Sequence, residues 1–599
     1  MQAEHNLCVC SSTLGATCFV AGQAVMIRLS CFSRTLFNRG FLQFMPDLDS
    51  VTLSVLKGRL EQIADEMDAT LFRSAFNPII AEAHDASHGL YHAKTGETLV
   101  QGKSGLPIFV GTMAFAVRLV IDRIDATDTP LTSGDIYIFN DPYEGGTHLS
   151  DFKLVRPYFY QGELFCFLAS VGHWHDVGGN VPGNYNPAAT ESFQEGMLIP
   201  PVKLCEDGRI RTDIIDILKA NSRLPGSLYG DLNGQLNALD LGAQRLDALL
   251  EEYGTDQVEQ AFSQLKQRAE ALMRSHIAEL PQGRYSAEDW LDNDGIVDEP
   301  LRVALDIEIR DNSMCLDFSR TARSCAGPVN ISRSTTIACC YVALKHIFKE
   351  VPANSGVLSP IEFVIPEDSL LSASAPRPVG GYTETILRII DVIFVALSQA
   401  DPLISNGCAY GTINALSLAG HRRDGRRWVM FSFFGGGHGG HPEGDGLNHG
   451  NAPISTATIP PLEILEAAYP VLFTKWALRP DSGGAGEHRG GCGAIYEIAL
   501  LEDEAEAFLF GDRGKFPPPG VVGGSPGSCN RFSYEQDDGF HSPALVSKIV
   551  GIRLKKNQRV RLETPGGGGF GKPKDRNRKC QEEDIRLGYV TERAGENLQ

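Results

Sequence analysis

The chain has 599 residues, 42% hydrophobic and 21% charged, with a net charge of −20. That composition excludes a disordered or fibrous protein, and the acidic balance excludes most nucleic-acid binders, which carry a basic patch or stripe. Fourteen Cys without one C-x-x-C pair exclude a disulfide framework or a zinc ribbon and favour a reducing, cytoplasmic setting.

Residues 1–46 hold four Cys and three Arg but a single acid, Glu4. We read residues 1–48 as an N-terminal extension that is disordered, an Arg-rich and acid-poor transit peptide, or a mis-assigned start of the reading frame. Regular structure is expected from Asp49 onward. Leu53, Leu56, Leu60, Ile63, Met67 and Leu71 recur at spacings of three and four, one face of an amphipathic helix. Glu61, Asp65 and Asp68 take its other faces, and Asp49 or Ser50 serves as N-cap. Residues 77–110 read as mixed, with several His and short β-like pieces. A strand at 134–140 runs into the turn Asp141-Pro142-Tyr143-Glu144-Gly145-Gly146. Two apolar runs, 153–160 and 164–171, flank Gln161-Gly162 and predict a β-hairpin.

Helices are expected at 213–222, 228–252 and 256–279, broken at Gly254, then strands over 284–320, and further helices at 334–349 and 383–399. The last is apolar, but Arg388 and Asp391 lie in it. No run reaches the ~20 apolar residues that span a bilayer, and no membrane contact is expected. After residue 425, Gly clusters alternate with strands; they read as tight turns and close backbone approaches. The charged tail, 574–599, is expected to fray. The order predicts a multi-subdomain α+β fold, with a β-rich region, a helical middle segment and a Gly-rich, β-containing C-terminal part.

Chemistry concentrates in Thr147-His148-Leu149-Ser150-Asp151 and Gly172-His173-Trp174-His175-Asp176. His and Asp are good ligands for Zn²⁺ and similar ions. A hairpin centred on Gln161-Gly162 sets Ser150 opposite His173 and His148 opposite His175, with opposed Cα atoms ~4.5–5.5 Å apart. Spacing by itself leaves a metal site and a polar turn both open. Glu82-Ala83-His84-Asp85 offers a further carboxylate or, equally, a polar loop.

Nucleotide motifs fall short. Gly566–Gly571 with Lys572 approaches a P-loop, but Pro573 stands where Ser or Thr must bind Mg²⁺. Gly435-x-Gly437-x-x-Gly440 opens no helix, since Pro442 and further Gly follow. In Gly523-Gly524-Ser525-Pro526-Gly527 the residue after Ser lacks the N–H that a nucleophile elbow uses.

The run Asn140-Asp141-Pro142-Tyr143 … Gly145-Gly146-Thr147-His148-Leu149-Ser150-Asp151, then His173 … Asp176-Val177-Gly178-Gly179, resembles the hydantoinase B/oxoprolinase family. So do Asp317-Phe318-Ser319, Gly327-Pro328-Val329-Asn330, Asp481-Ser482-Gly483-Gly484 and Thr564-Pro565-Gly566-Gly567, in the family's order over residues 49–573. The resemblance implies a B-type subunit bearing a divalent metal, Zn or Mn. It also implies a hetero-oligomer with an A-type subunit that uses ATP to phosphorylate a small-molecule substrate. Carried over residue by residue, it makes His148, Asp151 and His173 metal ligands and Asp85 a further one. Ala83 departs from the family's Arg, which leaves Glu82 as the fallback, and His175 ranks second. Asp176 is assigned to orient a ligand or act as general base. The implied reaction is ATP-dependent opening of a hydantoin, 5-oxoproline or lactam. The alternatives are a ketone carboxylase subunit, with the same ligands, and a metal-stabilised scaffold.

Overall fold

The computed structural model describes residues 17–20, 23–26, 47–127, 130–455 and 458–593. The chain divides into two units, Met1–Leu48 and Asp49–Gln599. In the first, β1 (Thr17–Val20) and β2 (Gln23–Met26) pair antiparallel; the expectation of a disordered or mis-assigned start otherwise falls outside the described residues. The second unit holds everything that follows.

It opens with α1 (Ser50–Ser74), capped by the Asp49 carboxylate, which accepts from Val51 N and Thr52 N at 3.0 Å each. The Leu53-to-Leu71 stripe is buried as predicted. Asp68 is not on an outer face: it lies four residues after Ala64 on the same stripe and is buried against His88. Then come α2 (Pro78–Ala81), β3 (Ala86–His92), β4 (Thr98–Gln101) and α3 (Pro107–Thr127). The sequence reading placed no helix at 107–127. Ile108, Phe109, Val110, Thr112 and Met113 are all buried, so α3 is apolar nearly all round at its start and shows no stripe to recognise.

The strands β5 (Ile136–Phe139), β6 (Asp151–Tyr160), β7 (Glu163–His173), β8 (Val202–Glu206) and β9 (Arg209–Ile210) join β3 and β4. They form a seven-stranded antiparallel sheet of order β4-β3-β7-β6-β5-β8-β9. The hairpin turn has φ of 51° at Gln161 and 90° at Gly162, the positive pair that suits the twist of a two-residue connection. Register departs from expectation by one residue. A β-bulge leaves Phe165 unpaired between Tyr158↔Cys166 and Phe159↔Leu164, and this sets Asp151, rather than Ser150, opposite His173.

Helices α4 (Thr212–Ala220), α5 (Pro225–Tyr253) and α6 (Thr255–Glu279) follow, with Gly254 breaking the last two at φ 77°. Next come β10 (Gly283–Leu291), β11 (Leu301–Arg310), β12 (Ser313–Asp317), α7 (Arg333–Ile347), β13 (Ile361–Val364) and α8 (Tyr382–Ala400). The four strands form one sheet, parallel only between β12 and β13. The face of the large sheet that carries Val155, Ala169 and Val171 shares one apolar core with α3, α7 and α8. Among the described residues no helix is long and apolar enough to cross a membrane.

The rest comprises β14 (Ala415–His421), β15 (Arg427–Ser432), α9 (Leu462–Ala468), β16 (Val471–Leu478), β17 (Ala494–Leu500), β18 (Glu504–Phe510), β19 (Arg531–Gln536), β20 (Gly539–His541), β21 (Lys548–Lys555), β22 (Arg559–Glu563) and α10 (Arg578–Arg586). Sheets β15-β14-β18-β21 and β16-β17-β22-β19-β20 pack face to face over a second core. The architecture is mixed α+β, as predicted.

Beside this sandwich the Gly clusters assemble around the segment 565–570. Gly437 N donates to Pro565 O, Gly484 N to Gly567 O, Gly440 N to Gly568 O, and Val521 N to Gly569 O. A Cβ on Gly490 would lie 1.9 Å from Gly567 O, and one on Gly567 2.0 Å from His438 O. Neither has a positive φ, so these glycines serve close backbone approach and not turning. The tail does not fray at once: α10 docks through Asp584, which meets Arg489 at 3.2 Å and Arg576 at 2.7 Å.

Candidate metal centre

The centre forms at one end of the large sheet. Asp151 opens β6 and His173 closes β7, directly opposed. His148 lies three residues before Asp151, in the turn after β5. Asn140 anchors that turn, donating from Nδ2 to Leu149 O at 2.7 Å. Gly145, at φ 144°, lets the turn lie against α3, where a Cβ would be 2.7 Å from Ala116 N.

His148 Nδ1 lies 2.7 Å from Asp151 Oδ2, and His173 Nδ1 lies 3.3 Å from Asp151 Oδ1. One ligand atom from each of the three residues falls within 4.8 Å of the others. The Thr147 hydroxyl donates to Asp151 Oδ2 and fixes the carboxylate. Three aromatic rings wall the trio. Tyr382, the first residue of α8, lies 4.9 Å from the His148 ring; Tyr185 lies 5.5 Å from it; and Phe431 of β15 stacks on His173 at 5.6 Å. Asp85, just before β3, lies beside the trio, where its backbone carbonyl accepts from His173 N at 3.1 Å, but its carboxylate is not among the clustered ligand atoms.

Electrostatics fit a cation. His148 Nε2, His173 Nε2, Asp151 Oδ1 and Asp85 Oδ1 are sealed from solvent and make no hydrogen bond, an arrangement that costs free energy unless something occupies the gap. Burial pushes the Asp151 carboxyl up, but the His148 and His173 imidazoles outweigh it and hold it well below the usual carboxylate range. Burial pushes Asp85 up to about 7, eased by His173 and aggravated by the charge of Asp151. One carboxylate and two imidazoles in a cluster are ligand types that Zn²⁺ and Mn²⁺ accept, and a second carboxylate, Asp85, stands nearby.

The remaining sequence candidates lie elsewhere. His175 stands past the end of β7, because the bulge removes the facing predicted with His148. Its Nε2 is sealed and unpartnered, and burial pushes its pKa down to about 4 against the pull of Asp176. Asp176 is already engaged: it accepts from Arg223 N at 2.9 Å, Arg223 Nη1 at 3.0 Å and Gly178 N at 3.2 Å. Glu82 is partly exposed, and its carbonyl accepts from the Thr458 hydroxyl. Sequence reasoning missed Tyr185, Tyr382 and Phe431, which come from three distant segments and carry no local signature.

A family model described as hydantoinase B/oxoprolinase matches residues 49–573. The chain is 32% identical over 90% of its length to an uncharacterized protein of Methanocaldococcus jannaschii, covering 93% of that protein. It is 30% identical to the caprolactamase subunit beta of Pseudomonas jessenii, over 91% of this chain and 95% of that one. The crystal structure of ATP-dependent caprolactamase from that organism superposes with a TM-score of 0.82, covering 92% of this chain and 96% of the other. Acetone carboxylase, at 21% identity, shares the fold with a TM-score of 0.82 over 92% of this chain and 79% of that one. The 5-oxoprolinase of Dictyostelium discoideum is 28% identical over 88% of this chain, which spans 40% of that longer protein.

Proposed function

The chain belongs to the hydantoinase B/oxoprolinase family, and from that premise we propose that it is the metal-bearing subunit of an ATP-dependent enzyme that opens a cyclic amide. The substrate is a hydantoin, 5-oxoproline or lactam, phosphorylated on its amide oxygen by an A-type partner subunit. The observation that carries this reading is the buried trio His148, Asp151 and His173, whose His148 Nε2, His173 Nε2 and Asp151 Oδ1 make no hydrogen bond, with Asp85 Oδ1 likewise sealed beside them. The relatives named as subunits, and the longer 5-oxoprolinase of which this chain spans only 40%, support a division of labour. This sequence contains no complete P-loop.

Phosphorylation makes the ring carbon electrophilic; water adds to it, the C–N bond breaks with the proton passing to nitrogen, and a second water hydrolyses the resulting acyl phosphate to carboxylate and phosphate. His148, Asp151, His173 and Asp85 would hold a divalent cation, which supplies Lewis acidity for the attack of water on that carbon. Thr147 orients the Asp151 carboxylate through its hydroxyl. Tyr185, Tyr382 and Phe431 exclude bulk water from the centre, which strengthens every charge interaction inside it. Asp176 holds the 176–183 loop through Arg223 instead of accepting a proton from water.

The test is to co-purify the chain with an A-type subunit, measure its metal content, and assay ATP-dependent opening of caprolactam, hydantoin and 5-oxoproline. His148→Ala and Asp151→Ala are expected to lose bound metal and turnover while staying folded. Wild-type turnover in a metal-free His148→Ala complex overturns the metal role. Incorporation of carbon dioxide into a ketone, with no ring opening, replaces the hydrolase reading with the carboxylase one.

A further inference from the structure

Side chains alternate across the large sheet, so Phe152, Ser170 and Gly172 point away from the face that carries Asp151, Val171 and His173. On that far side lies α5, and a single glutamine from it, Gln235, reaches both strands of the hairpin. Its Nε2 donates to Phe152 O at 3.1 Å and to Ser170 Oγ at 3.2 Å, while its Oε1 accepts from Trp174 Nε1 at 2.9 Å. Phe152 follows Asp151 by one residue, and Trp174 follows His173 by one. The two rings stack at 3.9 Å and 7°. Gln235 and Trp174 are both fully buried.

The chemistry admits few substitutes. An indole N–H only donates and a peptide carbonyl only accepts, so the residue between them must do both, and the amide orientation follows from its partners. The network continues outward: Ser170 Oγ to His88 Nε2 at 2.9 Å, and His88 Nδ1 to Asp68 Oδ1 at 2.7 Å. This Ser-His-Asp series has the order of a hydrolytic triad, but Ser170, His88 and Asp68 are all buried; it anchors Gln235 and does not face a substrate. A second strut comes from Asn77, whose Nδ2 donates to His173 O at 3.1 Å, and whose own backbone N donates to Asp231 of α5.

We propose that Gln235 is a positioning residue of the metal centre: by gripping the residues next to Asp151 and His173 it sets the separation and rotation of those two ligands. The inference rests on the metal reading of the preceding subsection. Partners outside the ligand set commonly change metal affinity by about 10–100-fold, and a brace on both ligand strands belongs in that range.

The experiment measures the dissociation constants of Zn²⁺ and Mn²⁺ by chelator competition, on the full chain in complex with its partner. It adds the Mn²⁺ electron paramagnetic resonance spectrum and the melting temperature of the metal-free protein. Gln235→Leu is expected to weaken metal binding about 10–100-fold and broaden the spectrum. Trp174→Phe keeps an aromatic ring against Phe152 and loses the N–H together with the rest of the five-membered ring, while Gln235 still holds Phe152 O, so it is expected to weaken binding less. The double variant is expected to be no weaker than Gln235→Leu. Unchanged dissociation constants in Gln235→Leu overturn the proposal, even if the metal-free protein melts lower, since that is what a merely structural residue would do. If Gln235→Leu does not fold, unchanged binding in Trp174→Phe overturns it equally. A wild-type complex that binds neither ion overturns the metal reading and this proposal together, whereas tight wild-type binding with unaffected variants overturns this proposal alone.

Discussion

Asp151 is buried and Asp85 beside it half-buried with one oxygen sealed, and their carboxylates respond in opposite directions. Asp151 touches two imidazoles and is held ionised, whereas Asp85 is pushed up to about 7 by burial. A bound cation would remove that penalty by supplying the missing opposite charge. Asp85→Asn is therefore expected to lower metal affinity at least as much as loss of an outer partner, about 10–100-fold, measured by chelator competition. Asp176 makes a contrasting prediction. Its carboxylate is buried and paired with Arg223, and breaking such a pair from one side costs about 3–5 kcal/mol. Asp176→Ala is expected to lower the melting temperature clearly while metal content, measured on the folded fraction, stays at the wild-type level.

Two elements bring the centre together. The hairpin delivers Asp151 and His173, and its register depends on the unpaired Phe165. Deleting Phe165 makes the hairpin regular and keeps Asp151 opposite His173, so metal content is expected to hold, whereas deleting Lys153 slips Asp151 to the place opposite Gly172; because a one-residue slip exchanges the faces of a strand, metal content is then expected to fall to background. Elemental analysis of the purified variants checks this. The second element is α8, whose first residue is Tyr382. The chain leading into it is held by Glu195, which accepts from Val379 N at 2.9 Å and Gly380 N at 2.6 Å. Burial raises the Glu195 carboxyl from 4.5 to about 8, only partly offset by those two N–H groups. A carboxyl whose folded pKa is raised binds its proton more tightly in the folded state. Its contribution is fully present below about 4.5 and is lost as pH rises through about 8. Wild-type stability is thus expected to decline over that window, and Glu195→Gln to flatten the decline, in melting temperatures recorded from pH 5 to pH 9.

Over the molecule as a whole, apolar cores and a glycine bundle carry the structure, and the bundle is the least forgiving part. Gly490→Ala would bring a methyl group to 1.9 Å from Gly567 O, a backbone atom that cannot step aside. It is expected to destabilise by more than the ~1–3 kcal/mol typical of overpacking. Gly58 in α1 has nothing within 4 Å of its missing Cβ, so Gly58→Ala is expected to stabilise by about 0.5–1 kcal/mol through helix propensity. Thermal or denaturant unfolding of the pair separates steric from conformational roles of glycine.

Local patterns were legible in the chain itself. The stripe of α1, the break at Gly254, the Gln161-Gly162 turn and the strands of the hairpin all follow from periodicity or turn chemistry acting over a few residues. The motif run through His148 and Asp151 also pointed to a metal centre and to a family. What local patterns do not encode is contact across the chain. The β-bulge that exchanges Ser150 for Asp151 is a matter of packing around Phe165. The uniformly apolar start of α3 becomes explicable only once the sheet and α7 enclose it. The walls Tyr185, Tyr382 and Phe431, and the brace from Gln235, come from segments far apart in sequence. Asp176 reads as a free carboxylate until Arg223 is seen beside it. Residue identities and short-range periodicity thus determined the elements and the candidate ligands, because those interactions act within one turn or one strand. Register, enclosure and the committed partners of each charge were decided by tertiary structure, because they depend on atoms that meet only when the chain is folded.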